Sequence, residues 1–217
     1  MRIDYFSDLD QDDKIYFNKE INNVVRNSDS LVTIAHNIEL LNIQSSSFGY
    51  GNDIVLISEN NSLQGFIPIN IIGNKAVSIP HFSYGGYLGL KELTFEQTEL
   101  LLQSLKRKYD NFIIRDFKQI TKNIYDEKVS CFLELQGDAE SQFSRFSSKL
   151  RSQIRKATKN GLTVTTSNID EFFPIYVSNM HRLGSPHLPM HFFKEIIKNY
   201  NSGCVEVFVV KKNTIAI

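Results

Sequence analysis

Apolar residues recur through the first two-thirds of the chain in short alternating runs, interrupted by two stretches with helical spacing. Arg2–Phe6 predicts a short strand. Asp10–Arg26 spaces Ile15, Tyr16, Ile21, Val24 and Val25 as a helix does, with acids in the first turn, where they oppose the positive end of the helix dipole. Leu31–Ala35 is short and β-branched, which predicts strand. Asp53–Ser58, Leu63–Ile72 and Ala76–Ile79 follow as three strands joined by turn chemistry, Asn60-Asn61-Ser62 and Gly73-Asn74, as in a meander. Pro68 lacks an N–H, so the second of them carries a bulge or an unpaired edge position there. After a glycine-bearing connection, Pro80–Gly89, a capping box at Thr94-Phe95-Glu96-Gln97 opens a helix that runs through Leu101, Leu102 and Leu105 to about Tyr109. Phe112–Phe117 and Lys128–Leu135 read as two further strands.

The last third repeats part of this plan. A basic helix spans about Ser141 to Asn160 and stops at Gly161, which suits a left-handed cap. Strand Leu162–Thr166 follows, then helices Asp170–Arg182 and about Pro189–Tyr200. Val205–Val210 and Thr214–Ile217 form a hairpin around Lys211-Lys212-Asn213. The order β, α, α, β, β matches the opening of the chain, so a tandem duplication is inferred: α/β (α+β), two similar mixed sheets with flanking helices, the second copy incomplete. The expected divisions are 1–140, a basic linking helix at 141–161, and 162–217. A chain ending on an unpaired apolar strand reads as a piece of something longer, whose missing C-terminal half or a partner chain completes the second sheet.

Composition narrows the class. With 217 residues, 41% of them hydrophobic and 22% charged, wholesale disorder is excluded. The net charge is +0, so the molecule as a whole does not attract polyanions, and no DNA partner is expected. No apolar run approaches the roughly 20 residues of a membrane span, and a soluble, cytoplasmic protein is the default. Cys131 and Cys204 lie far apart in apolar, strand-like runs and are expected as buried thiols.

Charge is nevertheless concentrated. Between Glu140 and Asp170 stand six cations and no acid: Arg145, Lys149, Arg151, Arg155, Lys156 and Lys159. On a helical wheel Phe143, Phe146, Leu150, Ile154 and Ala157 cluster within about 80°. One face can dock while the other offers charge to an anion, the alternative being a plain solvated face. In the connection, Gly85-Gly86, flanked by Tyr84 and Tyr87, can present backbone N–H groups to a phosphate or carboxylate, or simply permit a tight turn. It has neither the Walker nor the dinucleotide pattern. His181 and Arg182 close a helix before Gly184-Ser185-Pro186. There they can satisfy carbonyl groups, or pass a proton (His181) and hold a carboxylate or phosphate (Arg182). His187 and His191 are four apart, but Pro189 intervenes and no HExxH glutamate is present, so no metal is expected.

The run Phe146–Val164, with Lys149-x-Arg151-x-x-Ile154-Arg155-Lys156-Ala157-x-Lys159-x-Gly161-Leu162, resembles the FemA/FemB-like family, whose members carry a similar stretch leading into their second domain. Tyr176–Pro186 followed by Phe192-Phe193 looks like the subgroup associated with exopolysaccharide and exosortase loci. Phe82-Ser83-Tyr84-Gly85-Gly86-Tyr87-Leu88 is similar to the family's loop after the fourth strand. The resemblance implies two tandem domains of the N-acetyltransferase (GNAT) fold. It also implies transfer of an acyl or aminoacyl group onto an amine of a cell-envelope precursor, related to peptidoglycan or exopolysaccharide. No cofactor is bound; aminoacyl-tRNA or acyl-CoA serves as co-substrate. The acceptor is a small or lipid-linked precursor, with peripheral membrane association among the implied contacts. On this reading His181 is the catalytic candidate. Tyr84, Gly85, Gly86, Arg151, Arg155, Lys156, Arg182 and Ser185 bind substrate. The competing classes are a non-enzymatic module whose basic helix binds RNA or an acidic membrane surface, with steeply salt-dependent affinity, and an inactive fragment. The absence of aromatics among the helix cations disfavours single-stranded RNA.

Overall fold

Asn60 and Asn61, with φ of 49° and 61°, turn the chain between β2 (Gly51–Glu59) and β3 (Ser62–Ile72). Asparagine tolerates the left-handed region that a two-residue hairpin turn demands. β1 (Arg2–Tyr5) pairs antiparallel with β2, and β4 (Lys75–Val77) pairs antiparallel with β3. β6 (Asn111–Ile113) joins β4 in parallel, and the two-residue β5 (Leu88–Gly89) also pairs with β3. The result is a mixed sheet in the order β1-β2-β3-β4-β6. The computed structural model describes residues 1–116, 130–200, 204–213 and 215–216. The chain divides into two units, Met1–Ile124 and Tyr125–Ile217.

Both faces of the first sheet are covered. Tyr5, Val55, Ile57, Ile67, Ile69 and Ala76 pack with Leu101, Leu105 and Tyr109, which belong to α3 (Phe95–Lys108) and its C-cap. The expected capping box is present: Thr94 Oγ1 accepts from Gln97 N, and the Gln97 side chain accepts from Thr94 N. Alternation along the strands sends Leu56 and Phe66 to the other face. There α1 (Gln11–Asn27) and α2 (Ile38–Phe48) contribute buried Phe17, Ile21, Val24, Leu40, Leu41 and Ile43. Buried Asp53 ties the edges together, accepting from Ser7 N, Ser7 Oγ, Ile54 N and Tyr109 Oη at 2.8–2.9 Å. Those four donors hold a charge that burial alone would make costly.

The second unit comprises α4 (Ala139–Arg145), α5 (Ser148–Lys159), β7 (Leu162–Ser167), α6 (Ile169–Arg182), α7 (Met190–Asn199), β8 (Val207–Lys212) and β9 (Ile215–Ala216). Its three strands run antiparallel in the order β7-β8-β9. From β7 onward the plan is β, α, α, β, β, and β1-α1-α2-β2-β3 follows the same plan with the same pairing of neighbours. The repeat is therefore closer than the sequence suggests, because α2 has no counterpart in the sequence reading.

Several expectations are corrected. Leu31–Ala35 is not a strand: residues 31–33 are irregular and Ile34–His36 is a 3-10 turn capped by Thr33. Leu31, Val32 and Ile34 remain exposed, so no sheet rewards the β-branching of Val32 and Ile34. The basic stretch is two helices, because Phe146 is extended and Ser147 starts α5 by accepting from Leu150 N. Its apolar stripe is not sealed, with Leu150 and Ile154 exposed to 39% and 38%. The main contacts of α5 are with β7, an edge strand of a narrow sheet that cannot cover the stripe. Of the expected strand Lys128–Leu135, the described residues 130–135 are irregular, and Cys131 there is exposed. Cys204 is exposed as well, so neither thiol is a core residue. Phe117, residues 128–129, Thr214 and Ile217 lie outside the described residues. Gly161 does cap α5 in the left-handed region, at φ 76°.

Candidate functional site

The site arises from a split in the first sheet. On the side away from β2, β3 pairs with β5 at Gly65–Phe66 and with β4 at Asn70–Ile72, leaving Ile67–Ile69 between them. Pro68, which has no N–H to donate, sits in that gap opposite Ile54, as an unpaired edge position requires. The ladder shift lies elsewhere, between Ile57 and Ser58. The chain from Ser78 to Tyr87 leaves the sheet at this split, beside the carboxyl ends of the parallel pair β4 and β6, where open α/β sheets place their ligands.

Hydrogen bonds fix this loop to the segment after β6. Ser78 N donates to Ile113 O (2.9 Å), Arg115 N to Ser78 Oγ (2.6 Å), and Gly85 N to Arg115 O (3.0 Å). Arg115 Nη1 donates to Phe82 O (3.1 Å), and Tyr87 N to Asp116 Oδ2 (3.2 Å). From α2, buried Gln44 donates through Nε2 to Pro80 O (2.5 Å). The two glycines answer to close approach. A Cβ on Gly86 would stand 2.2 Å from Asp116 Oδ2, and one on Gly85 2.9 Å from the Ile79 side chain. Gly85 N–H is thus engaged within the fold, and Gly86 is where a carboxylate rests on the backbone.

A cleft of about 240 Å³ opens between Thr33-Ile34-Ala35 and Phe82-Ser83-Tyr84. Next to Ala35, the His36 ring is buried, with 3% exposed. Its Nδ1 accepts from Thr33 N (3.1 Å), which leaves the proton of the neutral ring on Nε2. Among the described residues, no hydrogen bond of good geometry reaches Nε2. Burial pushes the His36 pKa down, while the Gly86 backbone and the Asp116 charge oppose the shift. His81, whose pKa is lowered by the partial burial of a ring that stays largely exposed and by Arg115, shifts the same way. Both rings prefer to be neutral in the folded chain, so their contribution to stability is full above 6.5, the ordinary histidine value. That contribution declines as the pH falls through that value toward the lower folded pKa. Urea midpoints are expected to drop between pH 7.5 and 5.5, with a shallower drop in His36→Gln; an unchanged slope in the variant would show that His36 is not the source.

In the second unit the cations of α5 meet no carboxylate among the described residues, apart from Arg145 on the preceding helix, 3.5 Å from Glu134. Arg151 Nη1 donates to Ser144 O (2.9 Å), and the Arg155 guanidinium lies 5.2 Å from the Phe143 ring centroid. Lys156 is exposed. His181 and Arg182 end α6, where Gly184 (φ 67°) and the Ser185 N to Met180 O bond (3.0 Å) close the helix. Arg182 Nη2 donates to Asn179 Oδ1 (2.8 Å), and His181 faces His187 with ring centroids 6.4 Å apart. No hydrogen bond among the described residues orients the His181 ring.

The predicted residues therefore form three groups: Tyr84, Gly85 and Gly86 in the loop; Arg151, Arg155 and Lys156 on α5; His181, Arg182 and Ser185 at the end of α6. No hydrogen bond, ion pair or ring contact among the described residues joins the α5 group to the α6 group. Sequence reasoning missed His36, Gln44, Arg115 and Asp116. The available signals were Asn37 and Gly49, which cap α2 at its two ends, and a charged pair directly after a strand. Among the described residues no cluster of three or more His, Cys, Asp or Glu could hold a metal ion, and no helix is long and apolar enough to cross a membrane.

Comparison with known proteins fits this architecture. The FemX crystal structure matches 90% of this chain and 56% of its own, with a TM-score of 0.52 and 14% identity. The chain has the FemX-like mixed α/β fold. Over 79 residues it is 27% identical to the UDP-N-acetylmuramoylpentapeptide-lysine N(6)-alanyltransferase of Weissella viridescens, a stretch covering 35% of this chain and 24% of that enzyme. The chain thus spans about half the length of FemX, and its match to the curated relative covers about a quarter of that enzyme. No family model matches it.

Proposed function

We propose that this chain is an aminoacyltransferase of the FemX/FemAB-like kind, moving an aminoacyl group from aminoacyl-tRNA onto an amine of a nucleotide-linked peptidoglycan precursor. The observation that carries the reading is the Asp116 carboxylate, on the segment after β6, seated on Gly86 of the loop whose Phe82-Ser83-Tyr84 wall the cleft, and near buried His36. The amine of such an acceptor is an ammonium ion at neutral pH and cannot attack an ester until it loses a proton. Asp116 takes that proton first, and the free amine then bonds to the ester carbonyl carbon. As the C–O bond to the donor breaks, the second proton given up by the nitrogen passes to the leaving oxygen, so an amide and a free hydroxyl result and Asp116 returns its proton to solvent. The cleft supplies position, with Tyr84 on one wall and Thr33–Ala35 on the other.

We assign the proton role expected for His181 to Asp116 instead, because among the described residues no hydrogen bond orients the His181 ring. Arg151, Arg155, Lys156 and Arg182 hold phosphates of donor or acceptor. The cations of α5, which meet no carboxylate among the described residues, favour a polyanionic donor over acyl-CoA. A reaction on these substrates belongs in the cytoplasm. An exopolysaccharide precursor bearing an amine is the other acceptor class.

The test is to incubate the chain with aminoacyl-tRNA or acyl-CoA and each of three acceptors: a UDP-linked muramoyl peptide, its lipid-linked form and an amino nucleotide sugar. Products are read by mass spectrometry. An amide on the muramoyl peptide, from aminoacyl-tRNA alone, is expected. No product in any pairing overturns the proposal, and product only on the amino sugar moves the acceptor to the exopolysaccharide class.

A further inference from the structure

Beside the cleft, three rings gather where β2 begins and the loop leaves β4. Tyr50 Oη and His81 Nε2 are hydrogen-bonded at 3.1 Å. Their centroids are 6.1 Å apart with planes only 15° from parallel. The two rings are therefore nearly parallel and offset, joined by that bond. Phe48 lies against both, 5.2 Å from Tyr50 and 4.8 Å from His81. His81 itself is exposed.

The loop is forced into the shape that displays this pair. Ile79 and His81, on either side of Pro80, have φ of 40° and 70°. Left-handed conformations of non-glycine residues cost of order 1–3 kcal/mol each and persist only where the surroundings over-determine them. Two clamps do so here: Gln44 on Pro80 O and Arg115 on Phe82 O. Core packing does not account for strain that delivers an imidazole to solvent. Arg115 donates to the carbonyl of Phe82, the residue after His81, and its charge bears on the His81 ring.

We infer that the Tyr50–His81 pair, backed by Phe48 and flanked by Arg115, is a stacking platform for the nucleobase of a nucleotide whose phosphates lie toward Arg115. Near-parallel aromatic rings with a guanidinium close by suit a planar base that carries an anion. The inference rests on the nucleotide-linked acceptor proposed above and assigns its base a place.

The experiment is calorimetric titration of the whole chain with UDP, ADP and inorganic pyrophosphate, comparing wild type with Tyr50→Leu and His81→Asn. Asparagine tolerates φ near 70° and so removes the ring without adding backbone strain. Both variants are expected to bind UDP and ADP roughly tenfold or more weakly, the scale of base–aromatic stacking, while pyrophosphate binding is unchanged. Tyr50→Phe, which keeps the ring and loses the bond to His81, is expected to fall between. Equal nucleotide affinity in wild type and both variants overturns the platform, as does pyrophosphate binding as tightly as UDP, or no nucleotide binding at all. Transfer to the muramoyl peptide with an unchanged KM in Tyr50→Leu and His81→Asn would sink the platform and leave the aminoacyltransferase reading standing. Intact nucleotide stacking without transfer would do the reverse.

Discussion

Replacing Asp116 by asparagine is expected to lower the turnover of aminoacyl transfer by about 10²–10⁴-fold, the usual contribution of a positioned proton acceptor. The carboxamide keeps an oxygen that can accept from Tyr87 N, and it occupies the same space against Gly86. Folding and acceptor affinity should therefore change little. The measurement is single-turnover transfer from aminoacyl-tRNA, with the melting curve and acceptor titration alongside. Turnover within a few-fold of wild type would remove Asp116 from the chemistry. A parallel loss of acceptor affinity would make it a binding group instead.

The largest effect on stability is expected from Phe66→Ala. Phe66 is fully buried, at 0% exposure, on the sheet face that α1 and α2 cover. Its ring meets His36 edge to face, with centroids 6.3 Å apart. Emptying such a site costs about 3–5 kcal/mol in lost transfer energy and cavity, a large share of the 5–15 kcal/mol that typically holds a domain together. Two units in one chain need not melt together, so the readout is hydrogen exchange at the β2 and β3 amides in increasing urea. A loss under about 1 kcal/mol would mean that neighbours collapse into the space. Because Phe66 also braces His36, the variant should disturb the cleft while leaving exchange in β7 and β8 unaltered.

Local grammar carried much of the fold. Thr94 and Gln97 stand three apart and cap α3 reciprocally, Gly161 ends α5, and Asn60-Asn61 turn β2 into β3, because each of these features is satisfied within a few residues. The duplicated order was readable only in outline, since helix and strand periods survive without knowledge of neighbours but the second helix of the first copy, α2, escaped them. Failures occurred where burial decides. Leu31–Ile34 has strand composition but finds no strand to pair with. α2, whose inward face includes Gln44 and whose end is Ser45-Ser46-Ser47, has too little apolar regularity to announce itself. Phe146-Ser147 breaks the basic helix because Ser147 caps α5, a choice that smooth periodicity conceals.

The same division holds for the candidate site. Composition and spacing alone established that Gly85-Gly86 lies in a connection between strand and helix, that cations crowd Arg145–Lys159 without acids, and that His181 and Arg182 end a helix. These are properties of neighbours in sequence. Only tertiary structure laid Asp116 on Gly86, buried His36 beneath the loop and set Tyr50 beside His81. Those pairs are separated by some thirty to fifty residues, and they meet because β3 pairs with β4 toward one end and with β5 toward the other, so the chain between those two strands leaves the sheet beside the split. Such a meeting is decided by which strand finds which partner, and no local pattern records it.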